Sequence, residues 1–195
     1  MLVEGDAQVR HEARRLSLDD VRSRLQLRVP EGTDLQVGTT SGRVEIRGRA
    51  GHVAVTTESG RVEVDHAESV DVRTASGRVE VTYASGEVRI RSTNGRVEVR
   101  RCGPADVTTE SGRIRLAEAH GAVRAHCVTG RIAITMTGAE DVQADTVSGR
   151  VEVTLPSGCR PFRPDGADAP SEPPEGFDCT VVARSVSGRV SVAPG

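Results

Sequence analysis

Cysteine and histidine are the residues of this chain that could bind a metal or act as nucleophile and base. The sequence contains four cysteines and five histidines. No two cysteines form a C-x-x-C pair, and only His126 and Cys127 are adjacent to each other. Because a structural zinc site needs several such ligands at short, fixed spacings, the pattern predicts no metal site. It indicates no cofactor either.

Carboxylates are the other residues that could do chemistry. Many of the glutamates recur at regular intervals along the chain, each close to an arginine, as in the R-V-E segments. Glycoside cleavage needs an acid and a base of different pKa placed in a sugar-binding cleft. An exposed, regular row of paired glutamates does not provide that arrangement. The chain also lacks the G-x-S-x-G and Walker motifs. We therefore predict that it is not an enzyme, a polysaccharide-active β-helix enzyme being the less favoured alternative.

Composition restricts both the core and the partners. Aromatic residues make up 2% of the 195 residues, so the core must consist of Val, Ile, Leu and Ala. The net charge is −2, and all 26 basic residues are arginine. This balance gives no general attraction to nucleic acid or to an anionic membrane, and we predict no nucleic acid partner.

The sequence contains no apolar run of the roughly 20 residues that a membrane helix requires. The first residues, MLVEGDAQVRHEARR, also lack the apolar region of a signal peptide. These features predict a cytoplasmic protein without a transmembrane segment. An incomplete N-terminus would instead make an envelope-associated protein the expectation.

A short phrase, [STN]-G-x-[VI]-x-[VIL], recurs along the chain about every 18 residues. Its copies begin at Ser41, Ser59, Ser76, Asn94, Ser111, Thr129, Ser148 and Ser187. A fainter apolar pair lies halfway through each period, as in Val53 and Val55. Every segment alternates apolar and polar residues, which is typical of strands with one buried face.

These features predict an all-β, single-domain parallel β-solenoid with about 18 residues and two strands per rung and about eight to nine rungs. The alternative is an antiparallel meander of nine-residue hairpins, which the turn-forming Asn94-Gly95 would suit. Two corner types alternate strictly: a T-x-S-G corner of constant length and a corner of variable length. This alternation favours the solenoid.

Stacked rungs would place equivalent residues in columns. The predicted inward column contains Val44, Val62, Val79, Val97, Ile114, Ile132, Val151 and Val190. The outward column contains Arg43, Arg61, Arg78, Arg96, Arg113, Arg131, Arg150 and Arg189, and glutamates lie two residues further along most of these strands. Such Arg/Glu rows keep a flat β-face soluble and fix its register. A cationic strip for a polyanion is the alternative, and it is best supported at Arg113, Arg115 and Arg131, where glutamate drops out.

Two segments fall outside the repeat. Residues 1–24 are predicted to be an N-terminal cap, with a helix start at Ser17–Asp20, and 25–195 to be the solenoid domain. A Pro/Gly-rich insertion at 156–178 carries Phe162 and Phe177, which either pin the loop to the solenoid or bind a partner. Cys159 and Cys179 lie at its base, and a disulfide between them is disfavoured in a reducing compartment.

The repeated phrases, the T-x-S-G corners and the lead-in VPEGTDLQVGTTSGRVEI (29–46) resemble a bacterial adhesin-like family of β-strand repeats, a toastrack-like domain of unknown function. The resemblance covers about residues 25–192 and implies a β-solenoid with a binding or scaffolding role, often at the envelope. It carries no catalytic residues.

Taken together, the sequence predicts a non-catalytic scaffold or adhesin-like module that binds a protein or an envelope-associated partner. The candidate contact residues are Arg113, Arg115, Arg131, Phe162 and Phe177. The alternative is a self-assembling structural rod, similar in general design to the bactofilins, in which coils associate end to end.

Overall fold

The computed structural model describes residues 2–4, 8–12, 15–21, 24–162 and 176–194, and these residues form a parallel β-solenoid. It has about eight turns of about 18 residues each. The predicted fold is therefore confirmed, and the antiparallel meander is wrong. The described residues include no helix, and so none that could cross a membrane.

Eleven strands follow one another along the described residues. They are β1 (Leu2–Glu4), β2 (Gln8–Glu12), β3 (Arg15–Val21), β4 (Arg24–Arg28), β5 (Thr33–Ala84), β6 (Val88–Cys102), β7 (Ala105–Ala119), β8 (Val123–Met136), β9 (Val142–Leu155), β10 (Pro161–Phe162) and β11 (Cys179–Pro194). The strand β5 runs through several rungs because the T-x-S-G corners bend the chain without interrupting the ladder.

The register places identical residues on one another. Between β5 and β6, Gly77 pairs with Gly95 and Arg78 pairs with Arg96. The insertion does not disturb the ladder, since Val142 of β9 pairs directly with Val181 of β11. The predicted columns are therefore those of the structure.

Aliphatic side chains fill the inside of the coil. Val62 of the inward column is 1% exposed, whereas the neighbouring Arg61 side chain is 34% exposed. Each buried methylene contributes about 0.8 kcal/mol, so many small side chains can replace aromatic ones. Val190 is the exception in the inward column: it is 39% exposed because it belongs to the last rung.

The threonines of the T-x-S-G corner stabilise the bend through their hydroxyls. Thr74 Oγ1 donates to the Ser76 carbonyl at 3.0 Å, and Thr57 and Thr109 make the equivalent bond. Such bonds to nearby backbone are what favour Ser and Thr at turns. Cys127 takes the threonine position in one rung and is buried.

The corner glycines approach the rung below closely. Gly130 has a φ of 148°, and a Cβ atom there would overlap the carbonyl oxygen of Gly112. Only glycine fits both the backbone angle and the space. This explains why the phrase keeps its glycine in every rung.

The N-terminal segment corrects one prediction. The proposed helix start at Ser17–Asp20 is wrong, because β3 pairs in parallel with β5 and buries Leu16 and Leu18 on alternate positions. The parallel coil therefore reaches into the segment predicted to be a cap. Short strands β1 and β2 then add to this end in antiparallel orientation, on β4 and β3 respectively.

Replacement of Gly130 by alanine is expected to lower the free energy of unfolding by roughly 1–3 kcal/mol, because the new Cβ strains the backbone and meets the rung below. Urea unfolding followed by far-UV circular dichroism measures the change. The matched control is Gly138→Ala: the nearest atom to a Cβ at Gly138 lies at an ordinary 3.6 Å, and its expected change is within about 0.5 kcal/mol. Equal losses in both variants would contradict the proposed close approach.

Candidate functional site

The outward arginines form a straight row across the rungs, which we call the arginine ladder. In the sheet, each of these arginines lies opposite the arginine of the next rung. The first such pair is Arg24 with Arg43, and the last is Arg150 with Arg189. The members are Arg24, Arg43, Arg61, Arg78, Arg96, Arg113, Arg131, Arg150 and Arg189. Arg24 extends the predicted column by one rung, since β4 also belongs to the coil.

Several members of the ladder are neutralised by a glutamate on their own strand. Arg61 contacts Glu63 at 3.3 Å, and Arg78 contacts Glu80 at 3.2 Å. Arg150 and Glu152 form a third such pair at 3.5 Å. These ion pairs join residues two apart along one strand and do not cross between strands. Each is worth only about 0.2–1 kcal/mol because the side chains are solvated.

Glu45 differs from the other glutamates of its column because it is 2% exposed. Arg24 donates to it at 2.8 Å and Gln26 at 2.7 Å, and the Arg43 and Arg47 side chains lie 3.5 Å away. Burial opposes ionisation, but the hydrogen bonds from Gln26 and Arg24 and the charges of Arg24 and Arg47 outweigh it. The pKa of Glu45 is therefore held below its ordinary value. This anchor at the N-terminal end was not foreseen.

In the middle of the coil the ladder loses its counter-charges. We call Arg96, Arg113, Arg115 and Arg131 the unpaired arginines, since they make no ion pair among the described residues and all four are exposed. The cause lies in the neighbouring column, where Glu98 is followed by Arg115 and then by Ala133. The predicted group of Arg113, Arg115 and Arg131 lies together.

Arg96 was missed by the sequence interpretation because Glu98 occupies the partner position on its strand. The Arg96 and Glu98 side chains nevertheless form no ion pair. Side-chain conformation decides whether Arg96 and Glu98 pair, and a repeat pattern in the sequence does not reveal side-chain conformation.

A shallow groove follows the ladder beside the unpaired arginines. Its volume is about 840 Å³, and its floor consists of corner glycines while the ladder arginines form its wall. We call it the glycine-floored groove, and it is lined by Gly95, Arg96, Gly112, Arg113, Gly130, Arg131, Gly149, Arg150, Gly188 and Arg189. A smaller depression of about 390 Å³ lies on the other side of Arg113 and Arg131 and includes Arg115.

Sequence reasoning treated the glycines only as corner residues and therefore missed the groove. The signal was present in the S-G-R order of the phrase. This order places a residue without a side chain next to a long cation in every rung.

An exposed line of valines also went unnoticed. Val128, Val147 and Val186 occupy the variable position of the T-x-S-G corner in the last three rungs, and all three face solvent. Isolated exposed apolar residues are common, but a stacked row of them is a surface to which a partner can bind.

The predicted phenylalanines lie at a different place from the arginines. Phe162, in β10, and Phe177 pack edge to face with ring centroids 5.5 Å apart, and Phe177 is exposed. The two rings join the two ends of the insertion, next to β11. The predicted contact residues therefore form two separate groups.

The thiols and histidines do not form a reactive centre in the part of the chain that the structure describes. There, no three His, Cys, Asp or Glu residues could hold a metal ion together. Cys159 and Cys179 are free thiols with their sulfur atoms 3.1 Å apart. Burial, the hydrogen bond with Cys159 and the nearby acidic groups raise the pKa of Cys179 to about 12, so it stays protonated.

A second depression, of about 490 Å³, lies at the variable corners and contains the aromatic pair of His66 and Tyr83. Arg49 and Glu31, which also line it, pair with each other at 3.3 Å. Its charges are thus partly satisfied, in contrast to those of the unpaired arginines.

Replacement of Glu45 by glutamine is expected to lower the free energy of unfolding by roughly 1–3 kcal/mol at neutral pH, since charge-assisted hydrogen bonds are lost. The folded-state pKa lies below the ordinary value of 4.5. The stability from Glu45 is therefore present above that value and disappears as the pH falls through the folded pKa. Urea unfolding at pH 7 and pH 3 should show a difference between variant and native chain that shrinks in acid.

The matched control is Glu98→Gln, which changes a glutamate of the same column that makes no ion pair with any residue that the structure describes. A pH-independent loss in the Glu45 variant, or the same loss in both variants, would argue against an ionised anchor.

Comparison with known proteins gives one assignment. No curated protein and no solved structure matches the chain. The family model described as Toastrack DUF4097 matches residues 5–163, which is well over half of the sequence. The chain belongs to the Toastrack DUF4097 family of β-repeat domains of unknown function.

Proposed function

We propose that this protein is a non-catalytic interaction scaffold whose partner binds at the unpaired arginines. The observation that carries the proposal is the stack of Arg96, Arg113 and Arg131 on three successive strands, exposed and without ion pairs among the described residues. The coil supplies a rigid backbone for this stack, and the partner supplies negative charge. An acidic protein or an acidic envelope component fits these requirements.

Electrostatics supports a partner at this place. Stacked strands lie about 4.8 Å apart, and like charges on neighbouring strands destabilise a sheet. In the N-terminal half of the coil, glutamates offset this repulsion, as Glu63 does for Arg61. At the unpaired arginines only solvent screens this repulsion. An anion bound there would remove the repulsion between the arginines and would accept charge-assisted hydrogen bonds from them.

The non-catalytic part of the proposal rests on the state of the reactive groups. Burial raises the pKa of the Cys102 thiol to about 11, and Cys179 is also kept protonated. Glu63, Glu80 and Glu152 each contact an arginine of the ladder and are not placed as a carboxylate pair in a cleft.

A second candidate function, a self-assembling rod, is favoured by the end of β11. Among the described residues, only β10 pairs with its outer edge, at Cys179 and Thr180. Val190 of this strand is 39% exposed although its counterpart Val151 is fully buried, because no further rung stacks on it among the described residues. The last strand of such a coil can pair with a second copy.

The interaction proposal predicts a position-specific crosslink. Thr82 and Thr135 are both exposed and follow the stacked core residues Val81 and Ile134, but only Thr135 lies beside the unpaired arginines. With a photo-crosslinker at each position in turn, we expect a partner from cells of the source organism at position 135 and not at 82.

A matched pair of double variants tests the role of charge in that crosslink. Arg113→Gln with Arg131→Gln should abolish it, whereas Arg61→Gln with Arg78→Gln, which removes the same charge from the paired part of the ladder, should not. A crosslink of equal strength from both positions, or one that survives the first double variant, would refute the proposal. If Phe177→Ala alone abolished the crosslink, the insertion and not the ladder would be the contact.

The self-assembly candidate predicts a mass that rises with protein concentration in light scattering. Val190→Lys should prevent this rise, because two charged ends would meet. A native chain that remains monomeric at the highest attainable concentration would exclude this candidate.

A further inference from the structure

We infer that the glycine-floored groove binds a linear, carboxylate-bearing polysaccharide that lies along the axis of the coil. The inference rests on the proposed function and names the chemical class of the partner. It follows from the lining of the groove, the spacing of its charges and the kinds of contact that its backbone leaves open.

The lining of the groove combines cations with bare backbone. Among the residues that the structure describes, only glycine and arginine line the groove, and none of the lining residues is a carboxylate. Of its five arginines, only Arg150 has an ion-pair partner among the described residues. Each guanidinium presents a planar fork of donors that matches a carboxylate. The groove therefore requires an anionic ligand.

The spacing of the arginines favours an extended ligand over a compact one. The ladder repeats the same cation once per rung, at about 4.8 Å, so the five rungs of the groove span about 19 Å. A small anion could use one or two of these positions. A linear polymer with an acidic group on each repeating unit can use all of them, and each contact raises the effective concentration of the next.

The groove is poorly suited to nucleic acid. Single strands are held without sequence preference by aromatic side chains on which the bases stack. None of the aromatic residues of this chain, Tyr83, Phe162 and Phe177, lines the groove.

An acidic peptide is likewise disfavoured. Extended peptides usually bind by adding a strand to a free sheet edge, and their backbone hydrogen bonds then supply the affinity. Beneath the groove, Gly112 pairs with Gly95 on one side and with Gly130 on the other, so the ladder occupies the edges of the strand. The floor offers a flat surface without side chains and few free backbone donors.

A carboxylated polysaccharide meets these conditions without needing a backbone partner. Its regularly spaced carboxylates can pair with arginine forks. Its flat sugar rings can lie on the glycine floor, which carries no side chains. Such a ligand relies on side-chain charge and shape alone, which is what the groove provides.

The test measures the binding of labelled oligosaccharides from polygalacturonate, alginate and hyaluronate to the full chain by fluorescence anisotropy at low and physiological salt. Neutral dextran, galacturonic acid monomer, an oligo-dT strand and polyglutamate are the comparison probes. We expect at least one acidic polysaccharide to bind more tightly than every comparison probe, with an affinity that falls as salt rises.

The matched variants locate the binding. The double variant R113Q/R131Q should bind at least about ten-fold more weakly, which corresponds to about 1.4 kcal/mol. The double variant R61Q/R78Q should remain within about two-fold, which is far below that step. Far-UV circular dichroism and thermal unfolding confirm that both variants fold, as is expected for substitutions of side chains that point to solvent.

Three results would overturn the inference: no binding of any acidic polysaccharide, equal or tighter binding of oligo-dT or polyglutamate, or equal losses in the two double variants. If the polysaccharides fail while the crosslink at position 135 still depends on Arg113 and Arg131, the inference fails and the interaction scaffold stands. If the crosslink depends on neither arginine, the proposed function itself fails.

Discussion

Parallel pairing of each rung with the next is the constraint on which the rest of this structure depends. It places Val on Val inside the coil, Gly on Gly at the corner and Arg on Arg outside. A residue type is therefore retained when it suits a copy of itself about 4.8 Å away. Aliphatic side chains and corner glycines meet that condition well, whereas a column of like charges meets it only with a neighbouring column of opposite charge or a bound counter-ion.

The candidate site arises where that balance changes. In one half of the coil, Glu63 and Glu80 accompany their arginines, and at the N-terminal end Glu45 collects several cations around a buried carboxylate. In the middle, Arg115 and Ala133 replace the glutamate. The backbone is the same on both sides of this change, so the difference in function that we propose comes from side chains of one column.

The sequence alone was sufficient for the fold and for part of the site. Period-two alternation and the recurring corner identify strands, and a fixed corner spacing predicts their stacking, because every copy must obey the same geometry. Leu16 and Leu18 stack on Leu35 and Val37, in the fainter half of the period that lacks the recurring phrase, so a helix was predicted there instead. The burial of Glu45, the bare Arg96 and the groove between glycines and arginines depend on side-chain conformations and on neighbours from other rungs, which a linear pattern does not contain.

The direct pairing of Val142 with Val181 means that the chain between β9 and β11 has no part in setting the register. The length of this segment can therefore change without altering the coil. The main cost is the entropy of closing the loop, which grows slowly with the number of residues. The variable corner is therefore a natural grafting point. A foreign peptide or even a whole folded domain can replace the native excursion, and the rod would display it at a fixed height along its axis.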